Sequence, residues 1–369
     1  MTTARRPQPV GPDGLRVAMT PLPTPRGNPF IRQLATELVA GGCTLTGASL
    51  RAAWHADVLH LHWPDHAVSR DGWSASLRGA TKVVLMCAIV RARRRAVVWT
   101  VHNLRPHDRR HPGVERMFWP VFTRLVSGCV FLTAAGRDAA LAALPGLRHA
   151  RTVVVPHGSY QGVYPDFNGS DDDARRSLAL PADASPLVFF GQLRAYKNVP
   201  GLLAAFAALD DPAARLVVAG DGPDEQLIAT VRRAADLDDR IVVTGRVADD
   251  DVQRVMRAGV GAVLPFHDVF NSGSMFLALS LGRPVLVPRT EVFAEVRRGV
   301  GAAWVEFFDP PLAPADLARF ARTAGDLVAS GATPDLAAFA WPRLGAQIVE
   351  FYRTLVPGRR VAAGRGDAG

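Results

Sequence analysis

Two doubly wound α/β domains facing each other across a cleft are what the sequence predicts, on three observations. The chain has 369 residues, too many for one ordinary core and enough for two domains of similar mass, which implies a cleft. Strand-like apolar runs alternate with helix-patterned segments through both halves, the pattern of parallel sheets joined by crossover helices. In the second half three successive apolar runs each stop at a glycine, at Gly191, Gly220 and Gly245, where the missing side chain lets a ligand approach the backbone.

The first half predicts strands at 15–20, 57–62, 96–102, 128–133 and 151–156, with helices at 29–41, 74–94 and 114–127. The first helix opens on Pro29 and ends at Gly41 and Gly42, which suits the start and stop rules for helices. Residues 163–186 combine Pro, Gly, Ser and an Asp triplet and read as a linker, so the first domain is expected over 1–162 and the second over 187–340. Strands in the second domain are expected at 186–191, 214–220, 240–245, 262–266 and 283–288, with helices at about 199–209, 223–236, 249–258 and 273–281. A further helix pattern at 341–356 follows the second sheet, and the Gly- and Arg-rich tail 357–369 reads as disordered.

Composition narrows the function classes. Apolar residues make up 48% and charged residues 21%, as in a soluble globular protein. A net charge of +9 suits anionic partners such as nucleotides or phospholipid surfaces. Nucleic acid is disfavoured, since no basic run is interleaved with aromatics and no zinc or recognition-helix pattern occurs. Cys43, Cys87 and Cys129 are far apart and odd in number, so they read as reduced core residues. The N-terminus has no apolar signal region and no stretch is expected to span a bilayer, so a cytoplasmic protein is expected.

The stretch FFGQLRAYKNV, residues 189–199, ends a buried strand in a glycine and then sends out Arg194 and Lys197. Such a strand-to-helix turn holds anions, because free backbone N–H groups and basic side chains converge there. Around it stand V-V-A-G-D-G-P at 217–223 and A-L-S-L-G-R-P-V at 278–285; the first half adds H-L-H-W-P-D at 60–65, T-V-H-N-L-R-P-H at 100–107 and H-G-S-Y at 157–160. In this order and spacing the motifs resemble a GT-B glycosyltransferase with two Rossmann-like domains, family 4-like and of the bacterial exopolysaccharide type, mannosyltransferases among them.

The resemblance implies a nucleotide diphosphate sugar in the second domain, a glycan or lipid-linked acceptor in the first, and a crossing helix at 341–356. Arg194 and Lys197 would then neutralise the leaving diphosphate, with no metal and no further cofactor. Gly191, Gln192, Gly220 and Gly222 would shape the donor loop. The retaining enzymes of this fold carry a glutamate pair, but the matching positions here are Val269 and Leu277. In their place Asn271, Ser272, Gly273 and Ser274 open a helix, so that capping and diphosphate binding are compatible there.

For acceptor activation the candidates are His102, at the end of a strand, and Asp65, with His62, Asn103 and His107 beside them on the acceptor side. Turn formation at Pro64 and Asp65 is an equally ordinary reading. His157 and Gly158 read as a hinge, and Tyr160 as packing. Residues 81–99 join an apolar helix face to Arg91, Arg93, Arg94 and Arg95; this is either a core helix with a basic C-terminal end or a contact with an anionic membrane. The competing functions are a sugar-nucleotide epimerase or hydrolase of the same fold and a non-catalytic nucleotide-sugar-binding protein. A nicotinamide dehydrogenase is disfavoured, as neither half shows G-x-G-x-x-G after its first strand.

Overall fold

The computed structural model describes residues 14–25, 27–104, 110–181, 184–267 and 269–356. The chain divides into two compact units, Met1–Pro156 with Trp341–Gly369, and His157–Ala340. In chain order unit 1 contains β1 (Arg16–Thr20), α1 (Pro29–Ala40), β2 (Thr44–Gly47), α2 (Leu50–His55), β3 (Val58–Leu61), α3 (Trp73–Ala92), β4 (Ala96–Val101), α4 (Pro112–Leu125), β5 (Gly128–Phe131), α5 (Ala134–Ala143) and β6 (Arg151–Val154). Unit 2 contains α6 (Asp171–Ser177), β7 (Leu187–Phe190), α7 (Val199–Ala207), β8 (Leu216–Ala219), α8 (Glu225–Leu237), β9 (Ile241–Gly245), α9 (Val252–Ala258), β10 (Gly261–Val263), α10 (Gly273–Ser280), β11 (Val285–Pro288), α11 (Glu291–Val300), β12 (Val305–Phe308) and α12 (Pro314–Ala329). The chain then returns to unit 1 as α13 (Trp341–Leu355).

Each unit is built on a six-stranded sheet, ordered β2-β1-β3-β4-β5-β6 in unit 1 and β12-β11-β10-β7-β8-β9 in unit 2. All strand pairs are parallel. The central strands are apolar along their whole length, as β4 shows with six buried residues in a row, because helices cover both faces of such a sheet. Every ligand-side loop therefore leaves the sheet at the same edge, beyond the carboxyl ends of the strands.

The expected linker over 163–186 is corrected. Its Asp triplet is the first turn of α6, closed by a capping box in which Ser170 and Asp173 bond each other's backbone N–H, a favourable place for acidic residues. This segment is tied into unit 2: Asp171 pairs with Arg257 at 2.8 Å and also with Arg283, and the Phe167 carbonyl accepts from Arg257 at 3.0 Å. The strand expected over 262–266 stops at Val263, two residues before Pro265, which has no N–H for the ladder.

A further correction concerns α3. Its 20 residues are long and apolar enough by composition to cross a bilayer, yet Ser76, Gly79, Ala80, Val83, Met86, Cys87 and Val90 are buried, and α3 packs between α2 and α4. All three cysteines are buried and unpaired, with thiols pushed up by burial, Cys43 to about 11 and Cys87 and Cys129 to about 12.

Helix α13 lies along α1 and contributes Trp341, Leu344, Ile348 and Tyr352 to the core of unit 1. Tyr352 is fully buried and its hydroxyl bonds His60 Nδ1 at 2.6 Å; His60 Nε2 in turn meets Thr100 Oγ1 at 2.7 Å. Burial takes the His60 imidazole down to about 3, so it is neutral and uses one nitrogen as donor and the other as acceptor. Tyr352→Phe leaves His60 Nδ1 without its partner and is expected to cost about 1–3 kcal/mol, to be read as a lower urea midpoint with an unchanged m-value.

Candidate active site

In unit 2 the chain leaves β7 through Gly191 and enters a short 3-10 turn, Ala195–Lys197, before α7. Gly191 has φ of 138°, which a side-chain-bearing residue rarely adopts. A Cβ at this position would sit 2.5 Å from Lys197 Nζ and 2.8 Å from Ser274 Oγ, so the ammonium and the hydroxyl crowd one point over the bare glycine. At the end of β8 a Cβ on Gly220 would overlap the Gly191 carbonyl oxygen. The two loops thus approach each other as closely as backbone allows.

Lys197 is buried, at 8% exposure, and no described carboxylate lies within ion-pair distance of it. Its Nζ lies 5.6 Å from the Phe266 ring centroid and 5.9 Å from that of Phe189. Burial, and then the neighbouring Arg194 charge, pull the ammonium down from its ordinary 10.5 to about 8, so it is still cationic at neutral pH. A buried cation facing aromatic rings and a hydroxyl is costly until an anion joins it.

The opposite wall is the first turn of α10. Ser272 caps it, its Oγ accepting from Met275 N at 3.1 Å, and the unsatisfied N–H groups of the turn favour an anion. Tyr160 and His157, expected to serve as packing and hinge, lie against this turn: a Cβ on Gly273 would be 3.1 Å from Tyr160 Oη and 3.7 Å from His157 Nε2. His157 stacks on Phe276 at 4.9 Å and is held neutral by burial, down to about 4. Its Nδ1–H donates to the Gly158 carbonyl at 2.8 Å, which leaves Nε2 as the acceptor nitrogen beside Gly273.

A cavity of about 510 Å³ opens at the carboxyl ends of β7 and β8, lined by Gly191, Gln192, Arg194, Gly220, Gly222 and Arg246 among others. Five of these are sequence candidates. Arg246 is not, although it directly follows the glycine that ends β9, as Arg194 follows Gly191 by three residues, so a strand-glycine-cation order marked it. A larger concavity of about 910 Å³ lies along β12, but its charges pair with one another, Arg319 with Glu306 at 2.6 Å and Arg289 with Asp309 at 2.9 Å.

In unit 1 the structure brings the strand-end candidates together. His62, just beyond β3, and His102, just beyond β4, meet through Nδ1 and Nε2 at 3.0 Å. Trp63 stacks on His102 with centroids 4.4 Å apart, and Phe30 meets it edge-on at 5.1 Å. Burial, followed by the nearby His60 and His102 charges, holds His62 well below its ordinary value, so it stays neutral. Asp65 is buried and its Oδ2 accepts from Asn103 Nδ2 at 3.1 Å. His107 lies outside the described residues. Beside this group a pocket of about 500 Å³ is lined by Thr20, Leu61, Trp63, His66, Arg70 and Lys82 among others. Trp63 and the two cations are not sequence candidates: Trp63 stands next to His62 in the H-L-H-W-P-D motif, which marked it, whereas Arg70, in the loop before α3, and Lys82, on α3, reach the ends of β1 and β3 only through the tertiary fold.

Residues 184–327 match the family described as "Glycosyl transferases group 1". Over 91% of its length the chain is 30% identical to a D-inositol 3-phosphate glycosyltransferase of Geodermatophilus obscurus, of which it covers 76%. The chain belongs to the group 1 glycosyltransferases. This glycosyltransferase is also 28% identical to the GDP-mannose:glycolipid 4-beta-D-mannosyltransferase of Xanthomonas campestris pv. campestris, with 88% of both chains covered. Among solved structures, HepE of Anabaena in complex with UDP-glucose superposes with a TM-score of 0.69 at 14% identity, covering 92% of this chain and all of HepE. That likeness establishes the GT-B fold of two Rossmann-like domains.

Proposed function

We propose that this glycosyltransferase moves mannose from GDP-mannose to a glycolipid and builds a β-linkage. The observation that carries the reading is the buried cation Lys197, converging with Ser274 and the N-terminus of α10 on the bare backbone of Gly191. Two linked phosphoryl groups satisfy that cluster better than any neutral ligand, and the charge that develops on them as the sugar leaves is met by groups already in place. Arg194 and Arg246, in the adjoining cavity, extend the positive field. The choice of base and sugar is supported by the Xanthomonas relative. Gln192, Gly222, Asn271, Ser272 and Gly273 complete the proposed donor site.

Inversion is part of the proposal. Val269 and Leu277 occupy the positions of the glutamate pair, and neither can accept a proton or a sugar. A sugar that is α-linked in the donor and attacked from its opposite face emerges β-linked, and the acceptor hydroxyl then needs a base. His102 is the proposed base, with Asp65 the second candidate; His62 and Asn103 support them. The pocket beside Trp63 is the proposed acceptor site.

A thermal-shift series with GDP-mannose, GDP, UDP-glucose and UDP tests the donor. GDP-mannose at 100-fold over its Kd should add about 2.7 kcal/mol, a rise of several degrees in Tm. A larger rise with UDP-glucose would replace mannose chemistry, and no rise with any of them would remove the donor site.

A further inference from the structure

The outer face of the α2–α3–α4 layer has an unusual surface. Of the nine large apolar residues exposed among the described ones, six lie on these helices: Leu50, Trp54, Trp73, Leu85, Met117 and Val121. Trp54 and Trp73 are more than half exposed, at 52% and 55%. Each helix turns this face outward because the opposite side is packed, α3 on the sheet through Val83, Met86, Cys87 and Val90 and α4 through Val114, Phe118 and Phe122. The same helices carry Arg51, Arg78, Lys82, Arg91, Arg116 and Arg124 against one acid, Glu115, which is buried. None of Arg51, Arg78 and Arg116 pairs with a described carboxylate.

We infer that this face docks the protein on an anionic lipid bilayer. Tryptophan and leucine among cations are what an interfacial surface needs: the rings settle at headgroup depth while the cations meet lipid phosphates. A second copy of the chain is the poorer occupant, since pairing this face with itself sets arginines against arginines. The structure also changes which basic residues take part. Arg95 lies 3.2 Å from the buried Asp57 and is committed to the fold. Arg93 covers the Trp54 ring at 4.5 Å and shares its place on the face. The inference stands apart from the donor chemistry, because vesicle binding and sugar transfer are separate readouts.

Flotation of the full chain with vesicles of phosphatidylcholine alone, and of phosphatidylcholine mixed with phosphatidylglycerol, tests it. Wild type is expected to float only with the mixed vesicles and to be released by salt. Arg51→Gln, Arg78→Gln and Arg116→Gln together should lower the partition coefficient on the order of 100-fold, about five-fold for each cation. Trp73→Ser with Leu85→Ser and Met117→Ser should lower it comparably. The control, Arg232→Gln with Arg233→Gln and Arg322→Gln, removes equal charge from exposed positions of unit 2 and should bind as wild type. Equal thermal melts confirm that the variants fold. Flotation that ignores lipid charge, full binding by the first triple variant, absence of binding by wild type, or a dimer dispersed by the apolar variant would each overturn the inference.

Discussion

Lys197→Met is expected to make the free protein more stable while removing its affinity for sugar nucleotides. The two effects have one cause. The wild-type ammonium is buried beside Phe189 and Phe266 without a described carboxylate partner, and its fall from 10.5 to about 8 shows that the folded state resists the charge. Methionine fills nearly the same volume without it, so the gain should be about 1–3 kcal/mol at pH 7. Between about pH 8 and pH 10.5 the unfolded chain still holds the proton that folded Lys197 has released. Wild type therefore gains stability as pH rises through that window, and the methionine variant should lose this slope in urea titrations. Donor affinity runs the other way, since only the ammonium pairs with phosphate: it should fall as pH rises above about 8 in wild type. In the variant it should be at least about 100-fold weaker at pH 7. Calorimetry with GDP-mannose measures this, and unchanged affinity in the variant would remove Lys197 from the donor site.

The central strands were legible because a strand buried on both faces is a continuous apolar run, and β4 is wholly buried. The edge strands β2 and β12 lie outside the predicted set, since TLTG is half exposed and VEFF interrupts its run with Glu306. The Asp triplet of α6 read as a turn because acidic residues suit both a loop and a helix's first turn, and only Ser170 placed three residues before Asp173 decides between them. Glu291 is the first residue of α11, where an acid favours the macrodipole. Of the site, Lys197 and the glycines were legible as a local motif. The partners that give them meaning were not: Ser274 reaches Gly191 from another crossover, and Tyr352 meets His60 across 292 residues. No local pattern encodes such a meeting.

His102→Ala is expected to lower kcat by about 10²–10⁴-fold, the span of a lost general base, with little change in donor affinity. The role of His62 makes the test specific. Because His62 stays neutral, its Nδ1 can accept a hydrogen bond from His102 Nε2–H across 3.0 Å; the His62 proton then rests on Nε2, which is buried without a hydrogen-bond partner. In that tautomer, with His102 as the proposed base, His62 would orient His102 and stabilise the imidazolium formed when the acceptor hydroxyl gives up its proton. His62→Leu removes the acceptor atom and should reduce kcat by about 10–100-fold while shifting the acid limb of the kcat/KM profile to lower pH, because the imidazolium loses its support. His62→Asn, whose Oδ1 falls near the place of Nδ1, should restore part of both. A merely structural role for His62 would lower stability and leave that limb where it is. Asp65→Asn supplies the contrast: it keeps a partner for Asn103, which donates to Asp65 at 3.1 Å, and removes only the charge. If this variant alone abolishes turnover while His102→Ala retains it, the base is Asp65, and the histidine pair serves to seat Trp63 over the acceptor.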